Sequence, residues 1–258
     1  MVDTLNEKWN DWDQPESIKT KDSYIKRVSG ELPEKEASKS AAEFLKNKAL
    51  YKAGDKLLDI GGSCGHFLRS FKNRLDPDID YTCIDASPDF ITEGRRLWES
   101  HTRCEFVHGD CLKMPFENDR FDIAYVNLFH FFPDVKVALE EALRVTKGVV
   151  VWRTPVSQKE NYNIRYTFDR PYADLNSLDF DSGIDYCIVN IFTRKYLSGM
   201  VSDLSASLEI FERDDDFDDF DNTELPEFSD QSSTKTVAGM QINGCLVLDW
   251  HYVVIRKV

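Results

Sequence analysis

The chain has 258 residues, 41% of them hydrophobic, 12% aromatic and 30% charged. This composition excludes disordered, collagen-like and disulfide-framework proteins and suffices for one generous domain. Against 32 Lys plus Arg stand 46 Asp plus Glu, a net charge of -14 that repels phosphate backbones and anionic membrane surfaces, so neither nucleic acid nor membrane is an expected partner.

The first residues, MVDTLNEKWNDWD, carry neither the basic start nor the apolar stretch of a signal peptide. No window reaches the roughly 18 apolar residues of a membrane helix, so a cytoplasmic location is expected. Residues 1–33 form an arm carrying Trp9, Trp12 and Tyr24, either a lid or a segment packed on the flank of the core. The main domain, 34–258, opens with a run of strong helix formers from Glu34 to Leu50. Strands at 56–60, 81–85, 104–108, 121–127 and 148–154 then alternate with helices at 66–74, 88–99 and 134–146, the pattern of a mostly parallel α/β sheet. Beyond Pro155 the alternation lapses. It resumes with a helix over 193–204 and strands over 207–212 and 246–256, leaving two insertions, 155–191 as an expected acceptor cap and 213–243 as an acidic loop, which with the arm are expected to form a lid.

The cysteines Cys64, Cys83, Cys104, Cys111, Cys187 and Cys245 include no CxxC pair, as expected of reduced thiols. His101 and His108 each precede a cysteine by three on or beside one short strand, a spacing assigned to chance; no metal is expected.

The most informative segment is Leu57 to Phe67, LLDIGGSCGHF, a buried strand running through a glycine turn into a helix. Gly61 lets the backbone approach a ligand, Gly65 lets the helix start pack closely, and free N–H groups there favour an anionic group. Twenty residues beyond Gly65, Asp85 ends the next strand, where a carboxylate can accept both hydroxyls of a ribose. A dinucleotide fingerprint would need glycine at 61, 63 and 66; Ser63 and His66 occupy two of these places, which disfavours a nicotinamide oxidoreductase.

Over roughly residues 40 to 154 the chain resembles the class I S-adenosylmethionine-dependent methyltransferases, in particular the small-molecule branch similar to the ubiquinone and menaquinone pathway enzymes. Their first motif, hydrophobic-D-x-G-x-G-x-G, is matched by Asp59, Gly61 and Gly65, with Ser63 in place of the middle glycine. The resemblance implies a Rossmann-like doubly wound sheet of seven strands, the last antiparallel, with S-adenosylmethionine as cofactor. It further implies that Gly62 belongs to the cofactor turn, that Asp85 holds the ribose, and that Ala86 and Ser87 lie near the adenine. Asp110 and Cys111 would border the adenine edge, and Asn127 would face the methionine part.

The expected reaction is methyl transfer to a small molecule, with oxygen favoured as acceptor because His130, after the fourth strand, can serve as a base. His130 can equally be a structural donor. An N-methyltransferase, or a cofactor-binding but inactive scaffold partner, are the alternatives. Between 152 and 170, four basic residues stand against two acidic ones. Arg153, Tyr162, Arg165 and Tyr166 are the candidates for gripping an anionic or ring-shaped acceptor such as a sugar, carboxylate or aromatic metabolite, unless the stretch is an ordinary exposed loop. From Asp203 to Asp230, twelve acidic residues meet one basic one, Arg213. The run reads as a solvated loop or as a partner-binding or active-site flap built on Phe217 and Phe220; a calcium loop from Asp214 would need glycine and glutamate where Asp219 and Leu225 stand.

Overall fold

A computed structural model describes residues 15–166, 187–215, 234–237, 240–243 and 246–258. The first helix, α1, spans Pro15–Ser29, and α2 spans Glu36–Asn47. The central alternation follows as β1 (Lys56–Ile60), α3 (His66–Arg74), β2 (Asp80–Asp85), α4 (Pro88–Leu97), β3 (Cys104–His108), β4 (Phe121–Val126), a 3-10 turn (Phe129–Phe131), α5 (Val135–Val145) and β5 (Thr146–Ser157). Next come β6 (Tyr162–Tyr166), β7 (Cys187–Thr193), α6 (Arg194–Asp203), β8 (Ala206–Arg213), β9 (Thr234–Val237), β10 (Met240–Asn243) and β11 (Leu246–Lys257).

Local chemistry sets the element ends. Ser87 caps α4 by accepting from the Phe90 N–H, with Pro88 in the first turn, and Thr193 caps α6 by accepting from the Tyr196 N–H. The sheet runs β3-β2-β1-β4-β5-β11, with β8 on the outer side of β11. β1 through β5 pair in parallel, and β11 lies antiparallel between β5 and β8. This is the expected seven-stranded core with its antiparallel last strand.

Alternate side chains of the strands feed two cores. One joins Leu58, Ala124, Val126, Val150 and Trp152 to α5 and α6; the other joins Leu57, Tyr81, Tyr125 and Val151 to α2 and α3. This two-sided burial explains why the inner strands read as continuous apolar runs.

The structure corrects the sequence reading in both insertions and in the arm. Four further strands raise the total among the described residues to eleven: β6 and β7 form an antiparallel hairpin joined to the end of β5, and β9 and β10 extend β11. β7 is a mostly apolar strand, CIVNIFT, whereas β6, β9 and β10 are short and partly polar, so backbone pairing and not apolar periodicity defines them. Helix α1, charged along most of its length, was likewise invisible to apolar spacing. Residues 167–186 and 216–233 of the insertions and 1–14 of the arm lie outside the described residues. No described helix is long and apolar enough to cross a membrane.

Candidate active site

β1 ends in a turn whose backbone demands glycine. Gly61 has φ +73°, and a Cβ there would overlap the Leu128 side chain that closes over the turn from the end of β4. Gly65, at φ +84°, is the N-cap of α3 and packs against Trp98 and Phe106. Gly62 lies directly against the Asp59 carboxylate. Asp59 is buried and accepts from the Tyr81 hydroxyl at 2.5 Å. Burial, together with the charge of Asp85, pushes its pKa up to about 7.

Asp85 closes β2 beside this turn. Its Oδ2 accepts from the Ser63 N–H and its Oδ1 from the Ser87 N–H, both at 2.9 Å. Each oxygen keeps lone-pair capacity for a further donor. Burial raises its pKa to about 6, against the lowering effect of the two backbone donors, so it is largely ionised at neutral pH. Around it, the Ala86 carbonyl accepts from His108 Nε2 at 3.0 Å, and Asp110 Oδ1 accepts from the Leu112 N–H at 2.8 Å. Burial pushes the Cys111 thiol well up, with Asp110 and then Asp85 adding to the shift. Thus Asp59, Gly61, Gly62, Gly65, Asp85, Ala86, Ser87, Asp110 and Cys111 gather at the carboxyl ends of β1, β2 and β3, where open α/β sheets bind ligands.

Helix α1 packs over this edge. Tyr24 stacks on His66, the first residue of α3, with ring centroids 4.4 Å apart and planes 4° from parallel, and Lys21 pairs with Asp89 at 2.5 Å. Burial draws the His66 pKa well down, so the ring is neutral. No simple sequence signal marked Tyr24 as a partner of His66, because the contact joins residues 42 positions apart.

The carboxyl ends of β4, β5 and β11 carry a second group. Asn127 Oδ1 lies 3.5 Å from an Arg153 terminal nitrogen. Arg153 is 2% exposed, with Nε donating to Asp214 Oδ2 at 2.6 Å and the guanidinium 4.2 Å over the Trp250 ring. Ser40 of α2 donates to the other Asp214 oxygen and lies 2.8 Å from the Tyr252 hydroxyl. This corrects two readings: Arg153 is committed to a buried ion pair, and Asp214, counted in the solvated acidic run, is buried. Nothing in the local sequence distinguishes Asp214 from the acids that follow it.

His130 is buried in the 3-10 turn, its ring 5.0 Å from Trp250. Burial, reinforced by the Arg153 charge, draws its pKa down to about 3. Asn190 of β7 donates to the His130 carbonyl at 3.2 Å and the Phe132 carbonyl at 2.7 Å, and accepts from Asn163 of β6 at 2.9 Å. The inserted hairpin is thereby tied to the turn. Tyr162 is exposed, whereas Arg153 is buried, and the side chains of Arg165 and Tyr166 lie outside the described ones. A cavity of about 360 Å³ beyond the ends of β5 and β7 is lined by Lys159, Arg194, Lys195 and Phe211, among others.

Comparison with known proteins agrees with this architecture. Residues 57–148 match the family model for a methyltransferase domain. A demethylmenaquinone methyltransferase of Staphylococcus aureus is 33% identical over 101 residues, 38% of this chain and 42% of that protein. The matched region therefore spans less than half the length of that relative. The crystal structure of Burkholderia thailandensis 1,6-didemethyltoxoflavin-N1-methyltransferase, with bound 1,6-didemethyltoxoflavin and S-adenosylhomocysteine, superposes with a TM-score of 0.54 at 16% identity, covering 86% of this chain and 79% of that one. The [4+2]-cyclase SpnF superposes with a TM-score of 0.57 at 14% identity, covering 85% and 81%. At these identities the structural likeness concerns the fold.

Proposed function

We propose that this chain, whose residues 57–148 match the methyltransferase-domain family model, binds S-adenosylmethionine and transfers its methyl group to a small-molecule acceptor at oxygen. The observation that carries this reading is the Asp85 carboxylate, held by two backbone N–H groups beside the left-handed turns at Gly61 and Gly65. Its remaining lone pairs suit the two ribose hydroxyls, and the open turn suits the amino-acid tail. Ala86 and Ser87, with Asp110 and Cys111, would flank the adenine, and Asn127 would face the sulfonium side. Helix α1 would act as the lid, latched by Tyr24 on His66.

The cofactor supplies a methyl on a sulfonium, whose leaving group departs neutral and needs no acid. On transfer the acceptor oxygen would give the pair for the new C–O bond, the S–C pair would return to sulfur, and the hydroxyl proton would pass to solvent. What the chain contributes is alignment and exclusion of water, which can supply much of the rate. His130, neutral at physiological pH, would accept a hydrogen bond from the acceptor hydroxyl; its burial opposes storing the proton as imidazolium. SpnF, with a different named activity on a similar fold, is the reason to test turnover separately from binding. Calorimetric titration with S-adenosylmethionine, S-adenosylhomocysteine and NAD, followed by tritiated-methyl transfer into sugar, aromatic and carboxylic acceptors, tests the proposal. Absence of S-adenosylmethionine uptake would overturn it; uptake without transfer to any acceptor would favour a cofactor-binding scaffold.

A further inference from the structure

The apolar run of β7, CIVNIFT, is interrupted by a single amide side chain, Asn190. An amide is disfavoured inside a strand, and when buried it needs partners. Asn190 is 7% exposed. Its Nδ2 donates to the His130 carbonyl at 3.2 Å and to the Phe132 carbonyl at 2.7 Å, while its Oδ1 accepts from Asn163 Nδ2 at 2.9 Å. Backbone carbonyls only accept, so they fix which way the Asn190 amide faces. Asn163 stands directly opposite it on β6.

The segment held by this amide also closes the glycine turn. Phe129–Phe131 is a single 3-10 turn without a side-chain cap. It is closed by the Phe131 N–H on the Leu128 carbonyl at 2.9 Å and the Phe132 N–H on the Phe129 carbonyl at 3.0 Å. Such turns have poor hydrogen-bond geometry and lean on their surroundings. The buried rings of Phe129 and Phe132 seat it in the core, and Asn190 serves the carbonyls of His130 and Phe132. Immediately before the turn stands Leu128, whose side chain fills the space where Gly61 would carry a Cβ. We propose that Asn190 is a positioning residue: from the inserted hairpin it sets the turn that places Leu128 on Gly61, and so couples the hairpin to cofactor affinity. The inference rests on the methyl-transfer reading above, which puts the cofactor at Gly61. Among the described residues, β7 meets the main sheet only where Phe192 and Thr193 pair with Val156 and Ser157. An apolar side chain at 190 leaves the two buried carbonyls without this donor, and a shift of the turn that relieves them carries Leu128 with it.

The test is S-adenosylhomocysteine affinity, by calorimetry on the full chain, in wild type, Asn190→Leu, Leu128→Ala and the double variant, each shown to be folded by chemical denaturation. Asn190→Leu keeps the side-chain size, removes the three hydrogen bonds and should weaken binding about fivefold. In the Leu128→Ala background the same substitution should change affinity by less than about twofold, because the contact it acts through is already gone. A merely structural role predicts lower stability with unchanged affinity, or the same loss in both backgrounds; either result overturns the inference. The Gly61 N–H, which donates to the Ile84 carbonyl at 2.7 Å, gives an independent readout by nuclear magnetic resonance. Its signal should move in Asn190→Leu, and a stationary signal overturns the inference as well. Should Asn190→Leu fail to fold, Asn163→Ala decides. That exposed substitution releases the Asn190 amide and should weaken binding about threefold, whereas unchanged affinity overturns the inference. Wild-type uptake of S-adenosylhomocysteine is read first. Its absence overturns the methyl-transfer reading and this inference together, whereas uptake with unchanged affinity in Asn190→Leu overturns this inference alone.

Discussion

Ser63 and Asp85 are joined by a hydrogen bond of 2.9 Å from the Ser63 N–H to the carboxylate, and Ser63 reaches it in a left-handed conformation at φ +54°. The residue that replaces the middle motif glycine thus keeps a glycine-like backbone. Its side chain is not what holds Asp85. That conformation costs a non-glycine residue about 1 kcal/mol. Ser63→Gly should therefore raise stability by up to about 1 kcal/mol in urea denaturation and keep S-adenosylmethionine affinity within about twofold. A variant that binds much more weakly would show that the hydroxyl matters.

Replacing Asp85 by alanine removes both acceptors assigned to the ribose. Affinity for S-adenosylmethionine should drop at least about 100-fold by calorimetry, given roughly 1.5–3 kcal/mol for each of the two hydrogen bonds to a charged group. The same carboxylate dictates a pH profile. Its pKa, raised to about 6, means it gains a proton as the pH falls through 6, and binding should be flat above pH 7 and weaken towards pH 5. Loss of this acid-side decline in Asp85→Asn would identify the titrating group.

Asp59 couples the turn to stability with the opposite requirement. Its pKa is raised to about 7 in the folded chain against about 3.9 in the unfolded one, so the native state holds a proton that the unfolded chain has released. Its contribution is present below pH 4 and is lost as the pH rises to 7. Asp59→Asn cannot titrate and still accepts from the Tyr81 hydroxyl, so relative to wild type it should gain stability between pH 4 and 7.5, on the order of 2 kcal/mol. Parallel melting curves across that range would refute the assignment.

Breaking the Arg153–Asp214 pair leaves a buried charge. Arg153→Met or Asp214→Leu alone should each cost about 3–5 kcal/mol, and the double variant should recover most of that loss. Additive losses in chemical denaturation would mean that the two side chains act independently.

Helix α1 should control cofactor exchange through Tyr24. Tyr24→Ala removes the His66 stack and the Lys35 contact 4.2 Å above the ring. The stack is worth about 1 kcal/mol. S-adenosylhomocysteine should leave several-fold faster in stopped-flow displacement while the global fold is retained. An unchanged off-rate would reduce α1 to a packing element.

By itself the amino-acid order determined the central alternation and the glycine turn at the carboxyl end of β1. Strands buried on both faces, such as KLLDI and FDIAYV, need long apolar runs, and a left-handed turn between β1 and α3 needs glycine, so periodicity and Gly61, Gly65 and Asp85 marked that edge directly. Only the tertiary structure decided the rest. β6, YNIRY, owes its form to pairing with β7 and carries little apolar signature, whereas β7, CIVNIFT, is apolar enough to read as a strand, and only the structure shows which strands it joins. Asp214 reaches Arg153 across 61 residues, Asn190 reaches the His130 turn across 60, and Trp250 meets His130 from the last strand. Whether an aspartate is solvated or buried against a guanidinium depends on which distant side chain stands opposite it, and no local spacing encodes that.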